Sequence, residues 1–171
     1  MSDHAAFTAS IPAAYDEGLG PMLFEPYAVD MADRVQRLNG ESILEIAAGT
    51  GRVTAHLVAR LPAHSHLVVS DLNEAMLAVA RQRVVTDARV TWQTADTMAL
   101  PFTDATFDIV VCQFGLIFVP DQAQAIRECF RVLKPHGHVV FSVWGSLDEN
   151  PIGRIAGETI REHFPVDPPQ F

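Results

Sequence analysis

Ser42-Ile43-Leu44-Glu45-Ile46-Ala47-Ala48-Gly49-Thr50-Gly51 is the stretch whose reading decides the fold. Ile43, Leu44 and Ile46 make an apolar run of the kind that becomes a buried strand, and side-chain bulk then vanishes from Ala47 to Gly51. Arg52 opens a segment that carries Val53, Leu57, Val58 and Leu61 on one helical face, and Pro62 ends it. A strand that runs through a bare turn into a helix start lets a ligand come close to the backbone. Glycine tolerates positive φ and has no Cβ, and the first N–H groups of a helix have no partner inside it. By itself the turn indicates a nucleotide-like ligand and nothing narrower.

Outward from this stretch the chain alternates. Before it, apolar residues recur at helical spacing from Ser10 to Asn39, interrupted by Gly18, Gly20 and Pro21. This predicts a short helix before Gly18 and a longer one from about Phe24 to Leu38. After it, His66 to Asp71 reads as a strand and Glu74 to Val84 as a helix with Met76, Leu77, Ala80 and Val84 on one face. Val90 to Ala95 is a third strand. Phe107 to Phe114 is the longest apolar run and reads as the central strand, buried on both sides. Asp121 to Leu133 is a helix with an acid at its start, Lys134 to Gly137 a turn, His138 to Trp144 a fifth strand, and Ile152 to Phe164 a last helix. Strands alternating with helices give an α/β fold: a Rossmann-like, doubly wound, mostly parallel sheet of five visible strands.

With 171 residues and 49% hydrophobic content the chain suits one packed domain. No apolar run nears the ~20 residues that span a bilayer, and Met1 to Ser10 lacks a signal-peptide pattern, so a cytoplasmic location without membrane partner is expected. Twelve basic against twenty-one acidic residues, a net charge of −9 and no basic cluster argue against nucleic acid as a partner. Cys112 and Cys129 lack CxxC spacing and read as buried thiols. His64 with His66 and His136 with His138 have no third ligand nearby, and no metal site is expected.

Ligands of such sheets bind beyond the carboxyl ends of the strands. Gly49 and Gly51, Asp71, Asp96 and Gln113 all fall at those ends. Asp71 follows Gly51 by twenty residues, the spacing at which a carboxylate meets both hydroxyls of a ribose lying over a glycine turn. A dinucleotide fingerprint wants a further Gly or Ala where Thr54 stands, which weakens a nicotinamide-dependent oxidoreductase. The plainer alternatives are that Glu45 caps local N–H groups, that Asp71 and Asp96 only cap the turns after them, and that Phe114 is core.

Leu44 to Gly51, Ser70-Asp71-Leu72-Asn73 with Met76-Leu77, and Ala95-Asp96 through Leu100-Pro101-Phe102 stand in a particular order with Phe107-Asp108-Ile109-Val110, Gln113-Phe114-Gly115-Leu116 and Arg131-Val132-Leu133-Lys134-Pro135. Over roughly residues 40 to 145 this series resembles the class I S-adenosylmethionine-dependent methyltransferases, in the small-molecule branch of the ubiquinone/menaquinone C-methyltransferase-like proteins. The resemblance implies S-adenosylmethionine as cofactor, S-adenosylhomocysteine as product and a small-molecule acceptor. It implies that Gly49 and Gly51 pass beneath the methionine part, with Glu45 near its ammonium or supporting the turn. Asp71 would hold the ribose, Leu72 pack on the adenine, Asp96 accept from the adenine amino group with Thr97 and Met98 beside it, and Gln113 and Phe114 border the methionine end. Ala47 replaces the family's first turn glycine and narrows the room for ligand.

The resemblance also implies an organisation of one domain, 1–171: an N-terminal helical lid over 1–39, a cofactor-binding core over 40–145, and over 146–171 the start of a C-terminal part whose strands are absent. If Phe171 is the true terminus, a bare sheet edge would follow, and with it a homodimer or poor solubility. Tyr15, Tyr27 and Trp144 are candidates for lining the acceptor pocket. Methyl transfer needs no nucleophilic side chain, and the sequence singles out no catalytic base. A non-catalytic module that binds S-adenosylmethionine or S-adenosylhomocysteine is the alternative, with the oxidoreductase behind it.

Overall fold

The computed structural model describes residues 16–18, 20–84 and 86–164. Five strands, β1 (Ser42–Glu45), β2 (His66–Asp71), β3 (Val90–Thr94), β4 (Phe107–Gln113) and β5 (Leu133–Ser142), pair in parallel in the order β3-β2-β1-β4-β5. Between and around them lie α1 (Glu25–Arg37), α2 (Arg52–Arg60), α3 (Glu74–Arg83), α4 (Gln122–Val132) and α5 (Pro151–His163). A π-helical turn, Gly20–Phe24, leads into α1, and a 3-10 turn, Gly115–Phe118, follows β4. The fold is the expected Rossmann-like one.

The strand sequences make two cores because successive side chains point to opposite faces. Ile43, Leu67, Val69, Ile109 and Val111 join α1, α2 and α3 on one face, through Val35, Leu57 and Leu77 among others. Leu44, Val68, Val110 and Cys112 face the other way, against Ala125, Cys129 and Val132 of α4. Both cysteines are buried free thiols. Asn73 caps α3 and Asp121 caps α4, each accepting a backbone N–H with its side chain.

Two expectations need correction. The long apolar run of β4 is interior but not central; β1 holds the middle, paired to β2 and β4. Run length reports burial on both faces, which β1 and β4 share, whereas position depends on how the chain winds. Lys134 to Gly137, expected as a turn before a strand, instead interrupts β5: Phe107 pairs with Leu133 and Ile109 already with His138. His136 has φ 68°, and a Cβ on Gly137 would lie 2.9 Å from the Lys134 carbonyl and 3.0 Å from that of Asp108, so the excursion is tight. Of the short helix expected before Gly18, residues 16–18 are helical and the rest lies outside the described residues. Among the described residues no helix is long and apolar enough to cross a membrane.

The chain runs from β1 outward through β2 to β3 and then returns to the other side of β1 as β4. That reversal leaves a crevice at the carboxyl ends of β1 and β4.

Candidate functional site

The backbone past β1 stays pinned between its neighbours: Ile46 N donates to the Val111 carbonyl at 2.9 Å and Ala48 N to that of Ser70 at 3.0 Å. The next residues turn sharply. Ala47 has φ 50°, Gly49 φ 58° and Gly51 φ 76°, three left-handed residues within five. For Ala47 that conformation costs about 1–2 kcal/mol, which the pinned flanks sustain. Asp71 holds the turn from the side. Its Oδ2 accepts from Gly49 N and its Oδ1 from Asn73 N, both at 2.8 Å, so one carboxylate ties the turn after β1 to the turn after β2. Burial pushes the Asp71 carboxyl above its ordinary pKa, and the N–H groups of Asn73 and Gly49 pull against that.

Two clefts open here and share Ala47, Gly49 and Gln113 as walls. The larger, of about 160 Å³, is lined by every residue assigned above to the cofactor except Glu45 and Gly51. Leu72 stands in it 58% exposed, an apolar side chain with a face to offer. Asp96 accepts from Met98 N at 2.8 Å, so it caps its own turn as well as lining the cleft. Met76, Gly115, Phe118, Val119 and Pro120 complete the wall. Gly51 lies in neither cleft. It starts α2, and a Cβ there would meet Ala80 Cβ at 2.7 Å, so its bareness serves the packing of α2 on α3.

The smaller cleft is lined by Glu45 and Arg52. Glu45 is 2% exposed and accepts from the Thr54 hydroxyl at 2.7 Å; burial pushes its carboxyl up to about 8, against the Thr54 bond. Arg52 Nε and Gln113 Oε1 are buried and find no hydrogen-bond partner among the described residues. Leaving a buried donor and a buried acceptor unmade costs about 1–3 kcal/mol each, and the residues that carry them, Arg52 and Gln113, both line this cleft, which suits a polar ligand. A group with both a carboxylate and an ammonium suits that pair, with Glu45 as a further acceptor. A homocysteine-like amino-acid end fits, and the larger cleft with Asp71 and Leu72 suits a nucleoside.

Arg52 was not singled out by the sequence reading. The signal was there: a cation at the first position of a helix stands against the helix dipole and needs a reason. Tyr27 and Trp144 line neither cleft. They back Phe114, whose ring stacks on Trp144 at 4.1 Å and 8° and meets Tyr27 edge-on at 5.3 Å. Phe24 adjoins the same group at 5.8 Å from Phe114, and Gln113 Nε2 donates to the Phe24 carbonyl at 3.2 Å. Tyr15 lies outside the described residues. His64, His66, His136 and His138 are exposed.

Residues 24–155 match the model of the ubiE/COQ5 methyltransferase family. The chain belongs to that family. Among curated members, it is 40% identical over 121 residues to the ubiquinone/menaquinone biosynthesis C-methyltransferase UbiE of Idiomarina loihiensis, covering 69% of this chain and 47% of that one. It is 45% identical over 101 residues to the demethylmenaquinone methyltransferase of Clavibacter sepedonicus, covering 59% and 40%. The chain therefore spans about half the length of the curated relatives it matches. Among solved structures, CalS10 with bound S-adenosylmethionine, an amino pentose methyltransferase from Micromonospora echinaspora, superposes with a TM-score of 0.64 at 26% identity, covering 83% of this chain and 59% of that one. The family residues 24–155 include both clefts and the aromatic group behind them.

Proposed function

We propose that this ubiE/COQ5 family chain binds S-adenosylmethionine across the two clefts and serves methyl transfer to a small organic acceptor. The observation that carries the reading is the division of labour between the clefts: Asp71 and Leu72 in one, and the unpaired Arg52 Nε and Gln113 Oε1 beside Glu45 in the other. The cofactor supplies a sulfonium methyl group that is already electrophilic. What remains for the chain is to hold both reactants in line and exclude water, and proximity of this kind accounts for about 7–11 kcal/mol in favourable systems.

In this reading Asp71 accepts the ribose hydroxyls while keeping its two backbone bonds, Leu72 packs on the base, and Asp96, Thr97 and Met98 meet the base edge. Arg52 and Gln113 take the carboxylate and ammonium of the amino-acid end, with Glu45 as counter-ion. Phe114, backed by Trp144 and Tyr27, forms the wall on the acceptor side, with Phe118 and Val119 extending it. That wall is apolar and flat, which favours an acceptor of the kind for which the quinone-pathway relatives are named. No side chain is assigned as base. A lid over 1–39 and a core over 40–145 belong to the same proposal, as does a cytoplasmic site of action without nucleic acid, in keeping with the charge of −9.

Calorimetry with S-adenosylhomocysteine tests it. The protein is expected to bind with a Kd in the micromolar range, and Asp71→Ala to weaken that by at least about tenfold, the worth of one lost charged hydrogen bond. Absence of heat and of any thermal shift with either S-adenosylmethionine or S-adenosylhomocysteine would overturn the reading. Tight binding without methyl transfer to a broad acceptor panel would favour the non-catalytic alternative.

A further inference from the structure

Asp16 lies outside both clefts, yet it touches what shapes them. Its Oδ1 accepts from the Thr50 hydroxyl at 2.8 Å, in the middle of the left-handed turn, and from Arg52 Nη2 at 3.0 Å. Its backbone carbonyl accepts from the same Nη2 at 2.6 Å, and its Oδ2 from Arg83 Nη2. Arg83 Nε in turn donates to the Thr50 carbonyl at 3.0 Å. On the other side of the guanidinium, Arg52 Nη1 donates to Glu25 Oε2 at 2.7 Å at the start of α1.

Both terminal nitrogens of Arg52 are thus committed to the segment that precedes the core, one to Asp16 and one to Glu25. Nε alone is left without a partner, on the residue that lines the smaller cleft. The fit is close: a Cβ on Gly20 would fall 1.9 Å from Arg52 Nη2. The Arg52 and Asp16 side chains are only 10% and 16% exposed, so solvent does little to screen the pair. A fork with fixed geometry that is held at both tips has its remaining donor aimed in one direction.

We propose that Asp16 is a positioning residue that sets the Arg52 guanidinium and the Thr50 turn together, and so couples seating of the N-terminal segment to capture of the carboxylate end of the cofactor. This rests on the cofactor reading above. Asp16 touches no ligand in this arrangement; it acts through Arg52. Because Asp16 acts through Arg52, which lines the smaller cleft, the coupling belongs to ligands that carry a carboxylate and not to the nucleoside part. Linkage makes the effect reciprocal: a carboxylate ligand that needs Arg52 in place also holds the N-terminal segment down.

The test compares S-adenosylhomocysteine with 5′-methylthioadenosine, which keeps the nucleoside and lacks the amino-acid end, on the full chain. In Asp16→Asn the Kd for S-adenosylhomocysteine is expected to rise about tenfold, the effect of weakening a charge-assisted network at one member, while that for 5′-methylthioadenosine changes less than about twofold. Gly20→Ala, which displaces the guanidinium at its Nη2 and Nε edge without altering charge, should reproduce the selective loss. Proteolysis near residue 16 should be slowed by S-adenosylhomocysteine in the wild type and not in Asp16→Asn. Equal weakening of both ligands, or no weakening of either, with wild-type binding intact would overturn the coupling alone. Wild-type protein that binds neither ligand would overturn the cofactor reading, and the coupling with it.

Discussion

At the scale of single residues, Glu45 is a side chain whose state the fold changes strongly. Desolvation pushes its carboxyl up from 4.5 to about 8; the Thr54 hydroxyl opposes the rise and the Asp71 charge adds to it. Between those two values the folded protein keeps a proton that the unfolded chain has released. Its contribution to stability is therefore full below the lower value and is lost as pH rises through the window. A cation placed beside the group reverses the preference, because the ionised carboxylate is then favoured. Binding of S-adenosylhomocysteine at pH 7 is accordingly expected to expel close to one proton from Glu45. The measured heat should depend on the ionisation enthalpy of the buffer with that stoichiometry, and affinity should fall by up to about tenfold per unit as pH drops from 8 towards 6. Glu45→Gln should abolish both dependences, and equal heats in phosphate and Tris for the wild type would sink the assignment. Glu45, Asp71 and Asp96 were legible in the sequence because a strand end is a local property of the chain. Asp16 and Arg52 were not, because their meaning lies in bonds between residues 36 apart.

The elements show how one turn divides its work between two glycines. Gly49 and Gly51 look equivalent in sequence, and the family resemblance gave them one role. In the structure Gly51 is closed in by α3, with Ala80 Cβ and Cα at 2.7 and 3.0 Å from where a Cβ would be, whereas a Cβ on Gly49 would meet nothing within 4 Å. Gly51→Ala is expected to cost roughly 2–5 kcal/mol, the sum of a left-handed alanine and an overpacked helix contact, and thermal unfolding of ligand-free protein should show it. Gly49→Ala should cost only about 1–2 kcal/mol from its φ of 58°, yet weaken S-adenosylhomocysteine strongly, since Gly49 walls both clefts and the new methyl occupies open space. The reverse pattern, with Gly49→Ala binding normally, would remove Gly49 from the site. The same contrast explains which elements were legible. β2 has the bounds expected from its pattern, His66–Asp71, since hydrophobic alternation and its terminal acid are both local. The start of β5 was missed because the pairing of Leu133 with Phe107 is made before an excursion that reads as a turn.

For the whole molecule, the alternation of strand and helix was enough to give a parallel sheet with two covered faces, because each crossover helix must bury its apolar stripe on the sheet. Strand order was not legible in the same way. The pattern of residues along β4 is that of any strand buried on both faces, and only the winding puts β1 at the centre. The order also leaves β3 and β5 at the edges among the described residues. Exposed apolar side chains are found on three segments: Val143, directly after β5, is 59% exposed, Phe130 on α4 is 69% exposed, and Ile152 on α5 is 77% exposed. No side chain of α5 is buried, although Ile152 and Ile155 lie three residues apart on one face. A strand edge with unpaired backbone groups next to exposed apolar side chains is a template for another chain, and both contributions act in the same direction. The expected outcome is reversible self-association of this chain, seen in sedimentation velocity as a rising mean sedimentation coefficient with concentration. Lysine at both Ile152 and Ile155 should return it to monomer through like-charge repulsion across the new contact, and should leave the Kd for S-adenosylhomocysteine unchanged, since neither residue lines a cleft. A single monomeric species at every concentration would show that the exposed edge and the α5 face do not associate, and a paired change in ligand affinity would tie that face to the site.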